Sequence, residues 1–439
     1  MTERNRIFAA YGIMAVILIL TGIYQSPSLA LQILSYCLIS SIMALGVNIQ
    51  WGYAGIFNVG IMGFAAIGGL AAVLVSVDPV DAAIAAGGRG ILISVILAII
   101  AIAVCVFTYR KMSAGRNRQL AMTAIIIISY FIIRGYYDPA VNAIESTNAA
   151  STGFLGGFGL PILLAWPVGG LMAAAVAWVI GKIALGLRSD YLAIATLGIS
   201  EIIVAMLKNE DWLNRGVKNV IGLDRPVHRE VDLQQMQWFV DLANSLGIDV
   251  VEASSIFVKL SYIGLFIIVL LAVLYLSEKA LRSPWGRMMR SIRDNEISAN
   301  AMGKNITKRH LQVFVLGSAV VGIAGAMLTT LDGQFTPNSY QPLRFTFLIW
   351  VMVIVGGSGN NFGAILGGFV IWYFWNAGEF LGPWIMETVT SPLADDNPVK
   401  INLIDNAAQM RLIVMGVILL VVLRFSPRGL IPEKTSHSH

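Results

Sequence analysis

Long apolar runs separated by short polar intervals dominate the chain. Twelve such runs fall at about 7–24, 29–49, 54–76, 91–109, 119–134, 162–182, 190–207, 258–279, 309–331, 344–356, 363–381 and 409–424. The stretch from Leu260 to Ser277 carries no charged residue. As a helix rising about 1.5 Å per residue it is about 27 Å long, close to the roughly 30 Å hydrocarbon core of a bilayer. In lipid the backbone must satisfy its own hydrogen bonds, which makes these runs helices. A membrane barrel would need alternating segments of about ten residues instead of continuous ones. The pattern therefore predicts an all-α, polytopic integral membrane protein with ten to twelve transmembrane or re-entrant helices. The runs at 54–76, 344–356 and 363–381 are Gly-rich or short, and are candidates for broken or re-entrant helices.

Composition agrees with the pattern. Hydrophobic residues make up 57% of the 439 and charged residues 13%, against about 25% charged in a soluble domain. The basic residues are unevenly placed. With the N-terminus inside and twelve alternating spans, the short inside intervals hold Arg4, Arg6, Arg110, Lys111, Arg116, Arg118, Lys182, Arg188, all the basic residues of 279–309, and Arg424, Arg428 and Lys434. This is the positive-inside asymmetry, and it puts both termini in the cytoplasm. The net charge of +5 is thus a topology signal, with no reason to invoke nucleic acid. The first run ends in Tyr24-Gln25-Ser26-Pro27 without a small-x-small cleavage site, and reads as an uncleaved first helix. Cys37 and Cys105 lie in separate apolar runs and read as buried, unbridged thiols.

Two outside intervals are too long for turns. The one at 209–257 carries Trp212, Pro226 and His228 and a short helix expected near Leu233–Leu246; the one at 382–408 carries Pro383, Pro392, Asp395, Asp396 and Pro398. Each suits either docking of an external protein or a plain structural insertion. The inside interval 283–308 has helical spacing. Ser283 is the expected side-chain N-cap with Pro284 at the first helical position. Met289, Ile292, Ala299 and Met302 recur on one face, with Arg287, Arg290 and Asp294 on others. Gly303 supplies the stop and Thr307 the cap of the next span. The expectation is one basic amphipathic helix over 284–303, lying on anionic headgroups or against a cytoplasmic partner.

Glycines cluster twice, in QWGYAGIFNVGIMGFAAIGG (Gly52, Gly55, Gly60, Gly63) and in VGGSGNNFGAILGG (Gly356, Gly357, Gly359, Gly363). Small residues at three- and four-residue spacing ordinarily serve helix packing. Glycine-interrupted segments in corresponding halves of a transporter also point to its solute route, so the clusters are candidate inverted counterparts. The candidate pathway residues are Gly52, Gly55, Gly60, Gly356 and Gly359, with Glu201 nearby as an in-span carboxylate. Such a charge costs about 2.5–3.5 kcal/mol at mid-membrane, and suits either a substrate ammonium or a neighbouring helix. Enzyme chemistry is missing: the four histidines form no H-E-x-x-H, and no G-x-x-x-x-G-K-[ST] loop occurs. The chain is expected to bind no cofactor or metal and to hydrolyse no ATP itself.

Several segments carry a resemblance. SPWGRMMRSIRDNEISANAMGKNITKRHLQVFVLGSAVVGIAGAM resembles the cytoplasmic loop and following helix of branched-chain amino acid ABC transporter permeases of the LivM type. RSDYLAIATLGISEIIVAML, GYAGIFNVGIMGFAAIGG, VGGSGNNFGAILGGFVI and the ending MRLIVMGVILLVVLRFSPRGLIPEK are similar to family segments in the same order. The resemblance implies a single transmembrane permease domain over 1–434, with a tail at 435–439, in a bacterial inner membrane. It implies three kinds of partner besides lipid: a second, LivH-like permease subunit, two cytoplasmic ATP-binding subunits that use ATP and Mg, and a periplasmic solute-binding protein. It also makes 283–308 a coupling loop, with Arg287, Arg290, Ile292, Glu296, Ala299 and Gly303 the contacts to the ATPase, and Met288, Met289 and Arg293 beside them. The chain departs from the family at Asn58-Val59-Gly60-Ile61 and Asn214-Arg215-Gly216, which widens the expected solutes from branched-chain amino acids to urea and small amides. A self-sufficient secondary transporter or channel is the alternative class, and a docking helix at 284–303 disfavours it.

Overall fold

The computed structural model describes residues 3–148, 152–391 and 397–433. The expected tail at 435–439, and Pro392, Asp395 and Asp396 of the second outside interval, lie outside the described residues. Each of the twelve apolar runs holds a helix. The first seven are α1 Glu3–Tyr24, α2 Pro27–Val47, α3 Ile61–Ser76, α4 Arg89–Lys111, α5 Arg116–Ser146, α6 Ala165–Ala184 and α7 Ser189–Asn209. Then come α8 Val250–Arg282, α9 Pro284–Asp294, α10 Glu296–Ala301, α11 Ile306–Asp332, α12 Pro342–Gly356, α13 Asn361–Thr390 and α14 Met410–Phe425. Among the described residues eight helical stretches are long and apolar enough to cross a membrane. Helices α3 and α12 have only 16 and 15 residues, because the chain beside each is unwound, at 55–60 and 357–360. Two of the three expected breaks are real, and both lie at the same end of the bundle; the run at 363–381 is instead part of the uninterrupted helix α13.

The intervals between spans alternate between two ends, as twelve crossings demand. One end gathers Gly52, Arg293, Gly359 and Glu433 into direct contact. The other joins β1, Val220–Ile221, to β2, Gln334–Phe335, in a two-stranded antiparallel ladder, and there Lys259 Nζ donates to Ser28 O at 3.1 Å. The interval 209–257 is largely structured. Its expected helix is split at Met236 into Glu230–Gln235 and Gln237–Leu246, and α8 begins at Val250, before the expected start at 258.

The core is α2, α3 and α11, packed by small residues. A Cβ on Gly68 would lie 1.9 Å from Gly322 O, and one on Gly325 2.0 Å from Ala65 O, so α11 crosses α3 backbone against backbone. Helices α6, α12 and α13 complete the centre. Helices α4 and α5 form a peripheral hairpin whose apolar side chains, such as Ile99, Ile127 and Phe131, face outward. Water would penalise that surface, whereas acyl chains do not.

The interval 283–308 departs from its expected form. It holds two helices that meet in an elbow at Asn295, whose backbone is extended (φ −156°) and whose side chain accepts from Ser298 N at 2.9 Å to start α10. A single helix over 284–303 would bury that Asn side chain's bonding capacity in competition with the ladder. Ser283 starts α9 with no side-chain cap, leaving the task to Pro284 at the first position. Helix α11 is capped by Asn305, which accepts from Lys308 N at 3.0 Å, and not by Thr307. Gly303 does end the segment, at φ +75°.

Candidate transport and coupling sites

The two glycine clusters, far apart in sequence, meet. A Cβ on Gly52 would lie 2.2 Å from Asn48 Oδ1 and 2.5 Å from Gly359 N, so only glycine fits there. Asn48 sits on the terminal π turn of α2, and both polar atoms of its amide are used: Nδ2 donates to Asn361 Oδ1 at 3.0 Å and Oδ1 accepts from Gly359 N at 2.8 Å. Asn361 Nδ2 in turn donates to Glu278 Oε1 on α8 at 2.9 Å. The second layer is equally saturated. Gln50 Nε2 donates to Phe314 O and Ser318 Oγ, Asn58 Nδ2 to Gln50 Oε1, and Gly60 N to Asn58 Oδ1, all within 3.1 Å. Trp350 of α12 donates to Asn58 O and stacks edge-on against Trp51 and Phe57. Unwound backbone is tolerated inside a membrane protein only when its groups are paired like this. Gly356 packs on Gly363 O, while Gly55, at φ +70°, lies against Arg293. All the candidate glycines thus belong to one junction, or, for Gly60, to the contact with α7 at Thr196.

The elbow is fastened to this junction. Arg293 of α9 donates through Nη1 to Gly52 O and pairs with Glu433 Oε2 at 2.8 Å. Burial alone lowers the pKa of its guanidinium, but Glu433 and then Asp294 raise it above the usual arginine value. The charge is therefore permanent. The expected ATPase contacts are divided by this geometry. Met289, Ile292 and Ala299 are buried in the chain's own core, and Arg290 Nη2 donates inward to Leu281 O at 3.1 Å. Ile292 and Ala299 are buried and Arg290 and Arg293 half-buried, so all four hold the elbow to the membrane helices and leave a partner little surface. Arg287, Glu296 and Gly303 stay exposed, joined by Ile297 and Met302, 84% and 76% accessible. Helical periodicity put Met302 on the inner face; the elbow at Asn295 rotates it outward.

Helix α7 lies on α3 through Thr196 and Ser200, against Gly60 and Gly63. Its next residue, Glu201, turns away from that contact and is exposed on the outer face, near the middle of the helix. Within this one chain Glu201 is therefore not enclosed by the helices that carry the glycine junction.

The feature that sequence reasoning missed lies at the opposite end. A chamber of about 340 Å³ sits between α2, α11, α12 and α13. Its apolar walls include Met43, Leu348 and Met352, and its aromatic walls are Phe345, Trp372 and Trp375. Its polar groups are Gln32, Ser40, Ser339, Asn376 and the pair Tyr36–Asp332, in which Tyr36 Oη donates to Asp332 Oδ1 at 2.8 Å. Gln32, Tyr36 and Asp332 also line a second cavity of about 440 Å³, nearer the end of the bundle, with Arg225, Glu230 and Lys259. The signal was present as Gln32/Tyr36 and Trp372/Trp375/Asn376, at spacings that share a helix face. It was obscured because Asp332 closes α11 beside Gly333 and reads as an end cap. Among the described residues no group of His, Cys, Asp and Glu suited to a metal occurs, and both cysteines are unbridged.

Residues 140–423 match the family model described as "Branched-chain amino acid transport system / permease component". The chain is similar to the "High-affinity branched-chain amino acid transport system permease protein LivM" of Escherichia coli (strain K12), 26% identical over 269 residues, which is 60% of each chain. The protein of the same description from Salmonella typhimurium matches equally. A "Probable branched-chain amino acid transport permease protein LivM" of Methanocaldococcus jannaschii is 26% identical over 321 residues, 70% of this chain and 79% of that one. The match thus spans less than two thirds of the length of the two bacterial relatives. No solved structure matches the chain.

Proposed function

Because the chain belongs to the branched-chain amino acid transport permease family, we propose that it is the membrane-spanning permease subunit of an ATP-driven importer for branched-chain amino acids or a related small polar solute. Arg293 carries this reading. It plants an exposed two-helix elbow directly on the junction where the two broken segments meet. Force applied to Glu296, Ile297 and Met302 is delivered to Gly52 and Gly359 through a rigid, hydrogen-bonded path. Helix α12 then runs from the junction, at Gly356, along the chamber wall at Met352 and Leu348 to Phe345, about 16 Å away. A carrier that uses no ATPase has no need of such an element.

In this reading the junction end faces the cytoplasm of a bacterial inner membrane, in keeping with its lysines and arginines, and the chamber end receives solute from a periplasmic binding protein. Two cytoplasmic ATP-binding subunits supply ATP and Mg chemistry and seat on the elbow. A second permease subunit covers α7, because Glu201 exposed to acyl chains would cost about 2.5–3.5 kcal/mol and a second subunit gives it water or a polar partner. Reconstitution with these partners, reading ATPase stimulation and uptake together, tests the proposal. Glu296→Ala and Gly303→Leu should leave insertion intact and sharply reduce transport-coupled hydrolysis. Wild-type uptake that persists with no ATPase present would replace the importer by a carrier.

A further inference from the structure

Asp332 is an ionisable group at the membrane end of α11 whose charge the surrounding chain does not neutralise. Its oxygens accept from Tyr36 Oη, and the two cations that share the outer cavity are engaged elsewhere. Lys259 Nζ is held by Ser28 O at 3.1 Å, and Arg225 by Glu230 at 2.9 Å. The carboxylate is accessible from the cavities it lines. The chamber behind it is otherwise lined by apolar and aromatic side chains and the uncharged Gln32, Ser40, Ser339 and Asn376, with Trp372 Nε1 buried and without a hydrogen-bond partner. On the Trp375 side the field has the opposite sign. The guanidinium carbons of Arg344 and Arg411 lie 4.9 and 4.8 Å from its ring centroid; both Nε atoms are buried without a hydrogen-bond partner, and Arg411 Nη1 also pairs with the largely exposed Glu379 at 3.9 Å. A cavity with one acidic wall, one wall backed by two cations and apolar flanks is complementary to a small zwitterion with a hydrocarbon side chain.

We propose that this chamber, enclosed within a single chain, is a resting site for the transported solute, and that Asp332 holds the solute's ammonium group. Tyr36 guards the entrance. It and Asp332 form the wall common to the outer cavity and the chamber, and an arriving ammonium takes the place of the tyrosine hydroxyl on Asp332 as the solute passes inward. The hydrocarbon chain then lies among Leu348, Met352 and Trp372. The inference rests on the permease reading for its solute, but its site is defined by this chain alone. A neutral amide such as urea can donate N–H groups to the carboxylate but brings no opposite charge, so the site favours the ammonium-bearing class of the two that the sequence left open.

Binding to the full chain in lipid nanodiscs, measured by calorimetry, tests the site apart from any ATPase. The probes are L-leucine, isoamylamine (ammonium only), 4-methylpentanoate (carboxylate only) and urea. L-leucine should bind most tightly and isoamylamine more weakly, with 4-methylpentanoate and urea weakest. Asp332→Asn, nearly isosteric, should weaken L-leucine and isoamylamine by about tenfold or more, the loss of a charge-assisted hydrogen bond. As a second variant, Ser339→Cys in a Cys105→Ser background places a thiol on the chamber wall, and L-leucine should slow its modification by a water-soluble thiol reagent. Equal L-leucine affinity in the wild type and Asp332→Asn, or a labelling rate of the Ser339→Cys variant that L-leucine leaves unchanged, overturns the site. Neither result bears on ATPase coupling, which the reconstitution reads separately.

Discussion

The two ends of the bundle are built on opposite principles. At the junction the polar side chains of the broken segments are answered: Asn48, Gln50, Asn58 and Asn361 form a continuous buried network, and glycines bring backbones to contact. At the chamber end Asp332 has one neutral partner and Trp372 Nε1 has none. A fully paired polar network rigidifies the elements it joins, while unmet polar groups around a cavity are available to a ligand. On the proposed reading, one end transmits and the other receives. Substitutions should therefore cost stability at the junction and affinity at the chamber.

The harshest way to break this contrast is Gly52→Leu. Its side chain would collide with Asn48 and with the backbone of Gly359, so we expect no monodisperse protein on size exclusion; a well-folded variant would show that the junction is not close-packed. Arg293→Ala comes next. It strips the partner from Glu433 and from Gly52 O, and a loss of about 2–4 kcal/mol is expected, read as a lower melting temperature. The double variant Arg293→Ala/Glu433→Ala should recover part of that loss, since no unpaired carboxylate remains. Asp332→Asn, by contrast, should change thermal stability by less than about 1 kcal/mol while weakening L-leucine binding. The smallest effect is assigned to Glu201→Gln, within about 0.5 kcal/mol for the isolated chain because its side chain is exposed. A larger change there would show that the carboxylate already has a partner inside this subunit.

Much of this architecture was legible beforehand. Apolar run length is a local property, and it marked all twelve helices. The glycine clusters marked both breaks, because Gly-Tyr-Ala-Gly and Gly-Gly-Ser-Gly disfavour helix wherever they occur. The elbow was harder to read. Periodicity alone counts through Asn295, and the side-chain bond to Ser298 that stops α9 competes with the helix by a margin that sequence spacing does not reveal. The arginines were assigned outward for a similar reason. A basic residue on a polar helix is ordinarily solvated, and only the arrival of Gly52 O and Glu433, 241 and 140 positions away, turns Arg293 into a half-buried anchor.

By itself, then, the sequence determined what depends on neighbours along the chain: the all-α membrane class, the helix windows, the positions of the breaks and the charge asymmetry between the two sets of loops. Tertiary structure decided which face of each helix meets which other. It brought Gly52 to Gly359, sent Glu201 to the outer face of α7, and closed Tyr36, Asp332 and Trp372 around one cavity from three helices. The physical reason is that helix formation in lipid is driven by backbone hydrogen bonds within each segment. The choice of partner face is driven by packing of small side chains and pairing of buried polar groups, and these are properties of two surfaces together.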